Sequence, residues 1–258
     1  MISKHQIKHL RLLQQKKYRD KFKSFIVEGI KIVNEAIQND SLSINMLVCT
    51  SRSKNHINIS ALRKNTSLIE VTAKEFHKIT SQNNPQEVLA VIKKPQYQTP
   101  QANLIEDISF AIDKLRDPGN LGTIIRLADW FGVKQIFCST DTVDCFNPKV
   151  VQSSMGAIFR VDIHYVDLKK LLNNIKQNKL QSIYATSLNG CDLFKTELSK
   201  PAVVLLGNES GGLSEDLIVL SDQNLLIPNY SMSLDKSESL NVSMAAAIIC
   251  AEIRRQTG

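Results

Sequence analysis

The sequence lacks the cysteine pairs that would indicate a disulfide framework or a zinc ribbon. Its five cysteines are odd in number, widely scattered and free of any C-x-x-C pair. They are Cys49, Cys138, Cys145, Cys191 and Cys250. We expect reduced thiols, mostly in the core, and nothing in the sequence indicates a metal.

Long apolar runs are also missing. No stretch approaches the roughly 18 consecutive apolar residues of a membrane span, and the first 21 residues carry a charge every few positions, where a signal peptide has its apolar core. With only 10 glycines and 7 prolines among 258 residues, the chain is neither collagen-like nor of low complexity. We therefore expect a globular, cytoplasmic protein without a membrane partner.

The nucleotide-binding loops of two large enzyme classes do not occur. There is no G-x-G-x-x-G, and no Lys-Ser or Lys-Thr follows the glycines of residues 207–212. Nucleoside triphosphate binding by a Walker loop and Rossmann-type dinucleotide binding therefore lose most of their support.

The net charge lies at the N-terminus. Residues 1–31 hold nine Lys or Arg and two acids, whereas the other 227 residues hold 23 of each sign, so the whole excess of +7 lies on the first element. A polyanion is its natural partner, and a solvated helix face is the alternative. A membrane-surface helix is less favoured, because Ile7, Leu10 and Leu13 form only a narrow apolar stripe.

Short apolar runs alternate with helical patterns along the chain, which predicts an α/β protein. The alternation stops over residues 97–106, where proline and glutamine without periodicity predict a linker. We predict two α/β domains, over residues 1–96 and 107–258. A C-terminal helix is expected from about Ser239 to Arg255, apolar almost all round and therefore buried in a core or an interface.

Three segments of the second domain place polar residues and glycines where a strand is followed by a helix, the position at which α/β proteins bind ligands. In the first, Asn120 is predicted to cap a helix that carries Arg126. In the second, an apolar strand runs into residues 207–212, whose glycines let a backbone approach a ligand closely. In the third, Ser239 is predicted to cap the last helix, with Asn241 in its first turn. Each segment alone is also explained as a turn or a cap.

The order of these segments resembles a known family. N-x-G-x-x-x-R, then G-N-E-x-x-G-L-S, then I-P…S-L-N-V-S-x-A-A-A-I is similar to the three motifs of the SpoU family of SPOUT-class RNA ribose 2′-O-methyltransferases, over roughly residues 107–258. The resemblance implies a knotted α/β domain, S-adenosylmethionine held by the knotted loops, and a homodimer with a shared active site. The N-terminal region resembles the smaller ribosomal-protein-like α/β domain with which many members bind RNA.

The resemblance also implies a role for individual residues. The catalytic set would be Asn120, Arg126, Glu209, Ser239 and Asn241. The cofactor-binding set would be Thr186, Ser187, Gly207, Asn208, Ile227, Pro228 and Leu240. This chain has more residues between Pro228 and Ser239 than typical members have, so the resemblance does not determine the shape of the third cofactor loop.

The chemistry requires more than a bound methyl donor. A ribose 2′-hydroxyl is a poor nucleophile, so its attack needs a fixed geometry and a group that removes or stabilises the proton. The family assigns the base to Arg126, yet a guanidinium is hard to deprotonate, and binding of phosphate together with stabilisation of the alkoxide is the other role open to it. Asn120 is expected to orient Arg126, and Glu209 to anchor that arrangement.

Two functions remain open from the sequence. The preferred one is S-adenosylmethionine-dependent methylation of a ribose 2′-hydroxyl in ribosomal RNA, with transfer RNA as the second substrate class. The alternative is a non-catalytic, dimeric RNA-binding or ribosome-associated protein whose second domain is a scaffold.

Overall fold

The computed structural model of the protein describes residues 2–95, 107–209, 211–231 and 239–258. The chain forms two compact units: Met1–Gln96 with Asp144–Phe159, and Tyr97–Val143 with Arg160–Gly258. The first unit therefore takes in sixteen residues that the sequence places within the second domain. The predicted linker over residues 97–106 lies outside the described residues.

The first unit is built around a four-stranded sheet with the order β1-β4-β2-β3, in which β4 is antiparallel to β1 and β2, and β3 is parallel to β2. Its elements from the N-terminal region are α1 (Lys4–Leu12), α2 (Lys16–Phe22), β1 (Ser24–Glu28), α3 (Ile30–Gln38), β2 (Ile44–Cys49), α4 (Ser51–Lys54), β3 (Ser67–Glu70), α5 (Ala73–Phe76) and β4 (Val88–Lys93).

The basic N-terminal segment forms two helices. Ser3 starts α1 with a capping box, because its hydroxyl accepts from the Gln6 amide while the Gln6 side chain accepts from the Ser3 amide. Leu10 and Leu13 are fully buried in the core of this unit. Of the nine bases, Arg19 points inwards: it is 2% exposed and forms an ion pair of 2.6 Å with Asp144.

The second unit is built on a six-stranded sheet that is parallel throughout, with the order β10-β8-β9-β5-β6-β7. Its elements, with α7 of the first unit between β6 and β7, are β5 (Ile108–Ile112), α6 (Pro118–Trp130), β6 (Gln135–Cys138), α7 (Pro148–Ser154), β7 (Asp162–Tyr165), α8 (Leu168–Gln177), β8 (Ser182–Asp192), β9 (Ala202–Leu206), α9 (Glu215–Ile218), β10 (Gln223–Leu226) and α10 (Val242–Thr257).

The strand order places the three motifs at one edge. The chain runs from β5 outwards through β6 and β7, and then returns to β8 and β9 on the other side of β5. The carboxyl ends of β5 and β9 are therefore neighbours at a switch point, where a crevice forms in parallel sheets. The first motif follows β5, the glycine loop follows β9, and α10 packs against α6.

Two predicted helix caps are wrong by two or three residues. The cap of α6 is Asp117, whose carboxylate accepts from the Asn120 amide at 2.7 Å, and Pro118 occupies the first helical position. The cap of α10 is Asn241, whose side chain accepts from the Ser243 amide at 2.9 Å, while Ser239 precedes the helix. Asn120 and Ser239 therefore do not use their side chains to cap these helices.

Burial agrees with the expectation for the cysteines, since four are buried and Cys191 is exposed. The last helix is buried along one side, with Ala246, Ile249 and Ile253 fully inaccessible, and Met244 is exposed on the other side. None of the helices in the described ranges combines the length and the apolar character that crossing a bilayer requires.

Candidate active site

A cavity of about 440 Å³ lies at the carboxyl edge of the second sheet. Residues 186–188 of β8, the loop after β9, the end of β10 and the start of α10 surround it. Eight of the residues that the family resemblance implies line it. They are Thr186, Ser187, Gly207, Asn208, Glu209, Ile227, Ser239 and Leu240.

The glycine loop that forms one wall is closed by its own backbone. Asn208 and Gly212 exchange amide-to-carbonyl hydrogen bonds of 3.0 and 2.9 Å, and Gly212 has a φ of +63°, which favours glycine. A Cβ on Gly207 would lie 2.5 Å from the Leu213 backbone nitrogen. Gly207 is therefore required where two backbone segments pass closely beside the cavity, and Gly212 where the loop turns.

A chain of hydrogen bonds joins the three motifs. The Asn120 amide nitrogen donates to the Glu209 carboxylate, and the Asn120 oxygen accepts from the Asn241 side chain at 2.9 Å. The Asn241 oxygen accepts from the amide and hydroxyl of Ser243, at 2.9 and 2.6 Å. Both ends of the Asn120 side chain are thus used, which fixes α6, the glycine loop and α10 relative to one another.

Four predicted residues do not line the cavity. Asn120 and Asn241 lie beside it in the hydrogen-bond chain, and Pro228 lies just beyond Ile227. Arg126 is exposed on α6, and its side chain makes no hydrogen bond or ion pair with any part of the chain that the structure describes. The expected contact by which Asn120 would orient Arg126 is absent there, because Asn120 bonds Glu209 and Asn241 instead.

The apolar wall of the cavity was not predicted. It is formed by residues from β8, the β9–β10 connection, β10 and α10, which are Leu188, Leu213, Ile218, Leu225, Leu226, Val242, Ala245 and Ile249. Such residues carry no sequence signal that separates them from ordinary core, because apolar side chains at strand ends and on a buried helix face serve either purpose.

Comparison with known proteins identifies the family. Residues 107–251 match the model of the SpoU rRNA methylase family, and residues 4–90 match the MRM3-like substrate binding domain. The chain belongs to the SpoU rRNA methylase family. The match includes all three motifs of the hydrogen-bond chain, which ties the family to this site.

Relatives of this SpoU family chain span its full length. A 23S rRNA (guanosine(2553)-2′-O)-methyltransferase of Bacillus subtilis strain 168 is 30% identical over 96% of this chain and 95% of its own. A putative RNA methyltransferase of the TrmH family from Porphyromonas gingivalis is 34% identical, with a TM-score of 0.88 and 99% of both chains covered. An AdoMet-bound rRNA methyltransferase from Sinorhizobium meliloti is 30% identical, with a TM-score of 0.82 and 99% and 97% covered.

Proposed function

We propose that this protein transfers the methyl group of S-adenosylmethionine to a ribose 2′-hydroxyl of ribosomal RNA. The observation that carries the proposal is the chain from Glu209 through Asn120 to Asn241, which unites the three family motifs beside one cavity. The Bacillus relative is an enzyme of this activity, and the Sinorhizobium structure contains AdoMet. Both support the same reaction here.

The cavity residues fit the cofactor. A volume of about 440 Å³ lies in the range of small-molecule sites, which are mostly apolar with a few placed polar groups. Leu188, Leu225 and Ile249 offer an apolar wall to an adenine ring, and the backbone of the glycine loop and Ser239 offer polar contacts. When bound, S-adenosylmethionine supplies an electron-poor methyl group, so no side chain has to activate the electrophile.

The hydrogen-bonded residues position the site. Glu209, Asn120 and Asn241 hold the loops in one arrangement, which fixes the angle at which a hydroxyl reaches the cavity. Arg126 serves the substrate from the exposed side of α6. Because a guanidinium is a permanent cation with several donors, it is suited to binding RNA phosphate and to stabilising the emerging alkoxide.

The proposal includes a homodimer in which the partner subunit's Arg126 completes each site. Two observations support this. Arg126 does not line the cavity of its own chain, and the exposed sides of α6 and α10 carry large apolar side chains, with Trp130 85% and Met244 56% exposed. Exposed apolar residues on neighbouring helices are typical of a surface that another protein covers.

The first unit is proposed to bind the RNA. Its helices α1 and α2 carry most of the positive excess of the chain, with Lys17 and Lys21 exposed. The ring of Phe22 is 37% exposed, and the ammonium of Lys21 lies 5.9 Å from its centre. Lysines that bind phosphate next to an accessible aromatic ring are a common arrangement for unpaired RNA.

The path of the chain supports the trefoil knot implied by the family. After β9 the chain crosses to β10 beyond β8, and then returns with α10 to α6 at the start of the unit. A Cβ on Gly190 would lie 2.5 Å from the carbonyl oxygen of Asn224, so these segments pass backbone to backbone.

We place the protein in the cytoplasm, because its ribosomal RNA substrate is there.

The position of the methyl group tests the proposal. Alkaline cleavage of RNA needs a free 2′-hydroxyl, so product labelled from tritiated S-adenosylmethionine is expected to survive alkali as a dinucleotide. Ribosomal and transfer RNA from cells without the gene serve as parallel substrates, and label is expected in ribosomal RNA. Release of the label as a mononucleotide would mean base methylation and overturn the ribose assignment.

A further inference from the structure

A second cavity, of about 540 Å³, shares the glycine loop with the first. It is lined by Lys114, Arg116, Asp117, Asn208, Glu209, Gly211, Gly212 and Ser214. Four of these, Asn208, Glu209, Gly211 and Gly212, also line the proposed cofactor cavity. The two cavities therefore lie on either side of one thin wall, and the second contains two cations.

Lys114 is held in place by its surroundings. Its φ of +52° is uncommon for a residue with a side chain and persists only where other contacts fix it. The side chain of Asn208 donates to its carbonyl at 2.8 Å, its amide donates to the Ser139 hydroxyl at 2.8 Å, and its ammonium donates to the Ser214 hydroxyl at 2.9 Å. These contacts fix a positive charge next to the glycine loop.

Ser214 is itself anchored. Its amide and hydroxyl both donate to Asp113, at 3.0 and 2.6 Å, and Asp113 is only 3% exposed at the end of β5. The hydroxyl of Ser214 therefore directs its lone pairs towards Lys114. The hydroxyl that the lysine ammonium contacts is thus held by the core of the sheet.

Arg116 has a different environment. Its side chain is exposed, and within the described residues it forms no hydrogen bond or ion pair. The two carboxylates of the same cavity each accept a hydrogen bond from Asn120, Asp117 from its backbone amide and Glu209 from its side chain, and within the described residues neither is paired with Arg116. Arg116 is therefore a planar, bidentate donor without an internal acceptor, beside a fixed ammonium.

We infer that the second cavity binds the RNA phosphate attached to the 3′-oxygen of the methylated ribose, with Arg116 as its ligand and Lys114 as a fixed charge. This inference rests on the proposed function. The 3′-oxygen and the 2′-hydroxyl of a ribose are on adjacent carbons. A ribose whose 2′-hydroxyl faces the cofactor cavity therefore places the phosphate on its 3′-oxygen next to the second cavity. A guanidinium binds phosphate through two parallel hydrogen bonds.

The test compares Arg116→Gln, Arg116→Lys and the double variant Lys114→Gln/Arg116→Gln with the unchanged protein. Lys134→Gln is the matched control, because this exposed residue precedes β6 at the amino edge of the sheet. The measurements are the affinity for a 23S ribosomal RNA fragment over a range of salt concentrations, the affinity for S-adenosylmethionine by calorimetry, and the methyl-transfer rate at saturating RNA.

Arg116→Gln is expected to weaken RNA binding about tenfold and to reduce the slope of log affinity against log salt by about one, and the double variant by about two. Affinity for S-adenosylmethionine should stay unchanged, and Arg116→Lys should retain most of the salt slope. The inference is overturned if Arg116→Gln binds RNA as Lys134→Gln does, in a preparation whose unchanged protein methylates RNA. If the unchanged protein binds RNA without methylating it, the proposed function is overturned, and the salt slopes then show only whether the second cavity binds an RNA phosphate.

Discussion

Asn120 connects the largest number of functional segments of any predicted site residue. Replacing it by aspartate keeps its size but puts an oxygen where the amide nitrogen donates to Glu209, so two carboxylates would face each other. We expect Asn120→Asp to lower methyl transfer about a hundredfold, because the loops lose their fixed positions. A tritiated-methyl assay measures the effect, with Asn178→Ala, an exposed amide at the end of α8, as the control. Normal turnover by Asn120→Asp would show that the hydrogen-bond chain is dispensable.

His164 gives the stability of the protein a dependence on pH. It is buried on β7, with its ring 5.7 Å from that of Phe137, and burial lowers its pKa below the ordinary 6.5. The unfolded chain therefore takes up this proton at a higher pH than the folded chain does. The neutral, buried form of His164 therefore makes its full contribution to the free energy of unfolding above pH 6.5. That contribution is lost as the pH falls below this value towards the pKa of the folded state.

We expect the free energy of unfolding to fall between pH 7 and pH 5, and to fall less steeply for His164→Phe. Urea unfolding at several pH values measures this. His77→Gln changes an exposed histidine and should keep the slope of the unchanged protein. Equal slopes for His164→Phe and the unchanged protein would contradict the assignment.

At the scale of elements, the first unit depends on contacts between α2 and the segment that leads into α7. Arg19 and Asp144 are 2% and 8% exposed and 125 positions apart in the chain. Arg19 also donates to the carbonyls of Leu13 and Gln14, at 3.0 and 2.8 Å. Removing one partner leaves the other charge buried without compensation, which is more costly than the loss of an exposed pair.

Asp144→Ala is therefore expected to reduce the free energy of unfolding by about 3–5 kcal/mol. Glu70→Ala breaks the exposed pair with Lys54, whose side chains are 47% and 40% exposed, and should cost far less, because solvent screens an exposed pair. Denaturant unfolding of both variants gives the comparison. Similar losses for the two would show that burial adds nothing to the Arg19 pair.

The same segment limits how the two halves of the sequence can be separated. Phe146 lies with its ring 4.5 Å from that of Phe25, and Val150 and Val151 are buried in the first unit. A protein shortened to begin near residue 100 would expose these apolar side chains. Substitution of exposed lysines in α1 and α2 is therefore the better test of RNA binding by this unit.

At the scale of the whole molecule, the proposed homodimer makes a prediction about surface residues. Trp130 and Met244 are exposed on α6 and α10, whereas Ala246 is fully buried within its own chain. We expect Trp130→Glu with Met244→Glu to yield a folded monomer in sedimentation at micromolar concentration, since charge is unfavourable in an apolar contact. Ala246→Glu should instead destabilise the fold. A native protein that sediments as a monomer would refute the dimer.

The shared site predicts complementation. Under the proposed shared site we expect Arg126→Ala and Asn120→Ala to inactivate different parts of it, so dimers that contain one subunit of each should regain one intact site. Mixing the two inactive proteins is expected to restore part of the methyl transfer. Absence of recovery, in a mixture shown to exchange subunits, would place Arg126 in the site of its own chain.

Several features of this protein follow from the sequence by itself. The α/β character follows from the alternation of apolar runs, the position of the glycine loop from three glycines after an apolar strand, and the basic character of the N-terminal segment from nine cations in 31 residues. These predictions depend on chemistry that a few neighbouring residues express without help from the rest of the chain. The twelve predicted site residues came instead from the resemblance to the family, and eight of them line the cavity.

Only the tertiary structure decided which distant residues meet. It paired Asn120 with Glu209 and Asn241, turned Arg19 inwards onto Asp144, and gave the caps of α6 and α10 to Asp117 and Asn241. It also built the apolar wall of the cavity from strand ends far apart in the chain. The physical reason is that polar residues near a helix start are nearly equivalent as caps, and apolar residues as core, until long-range packing determines which of them are buried together.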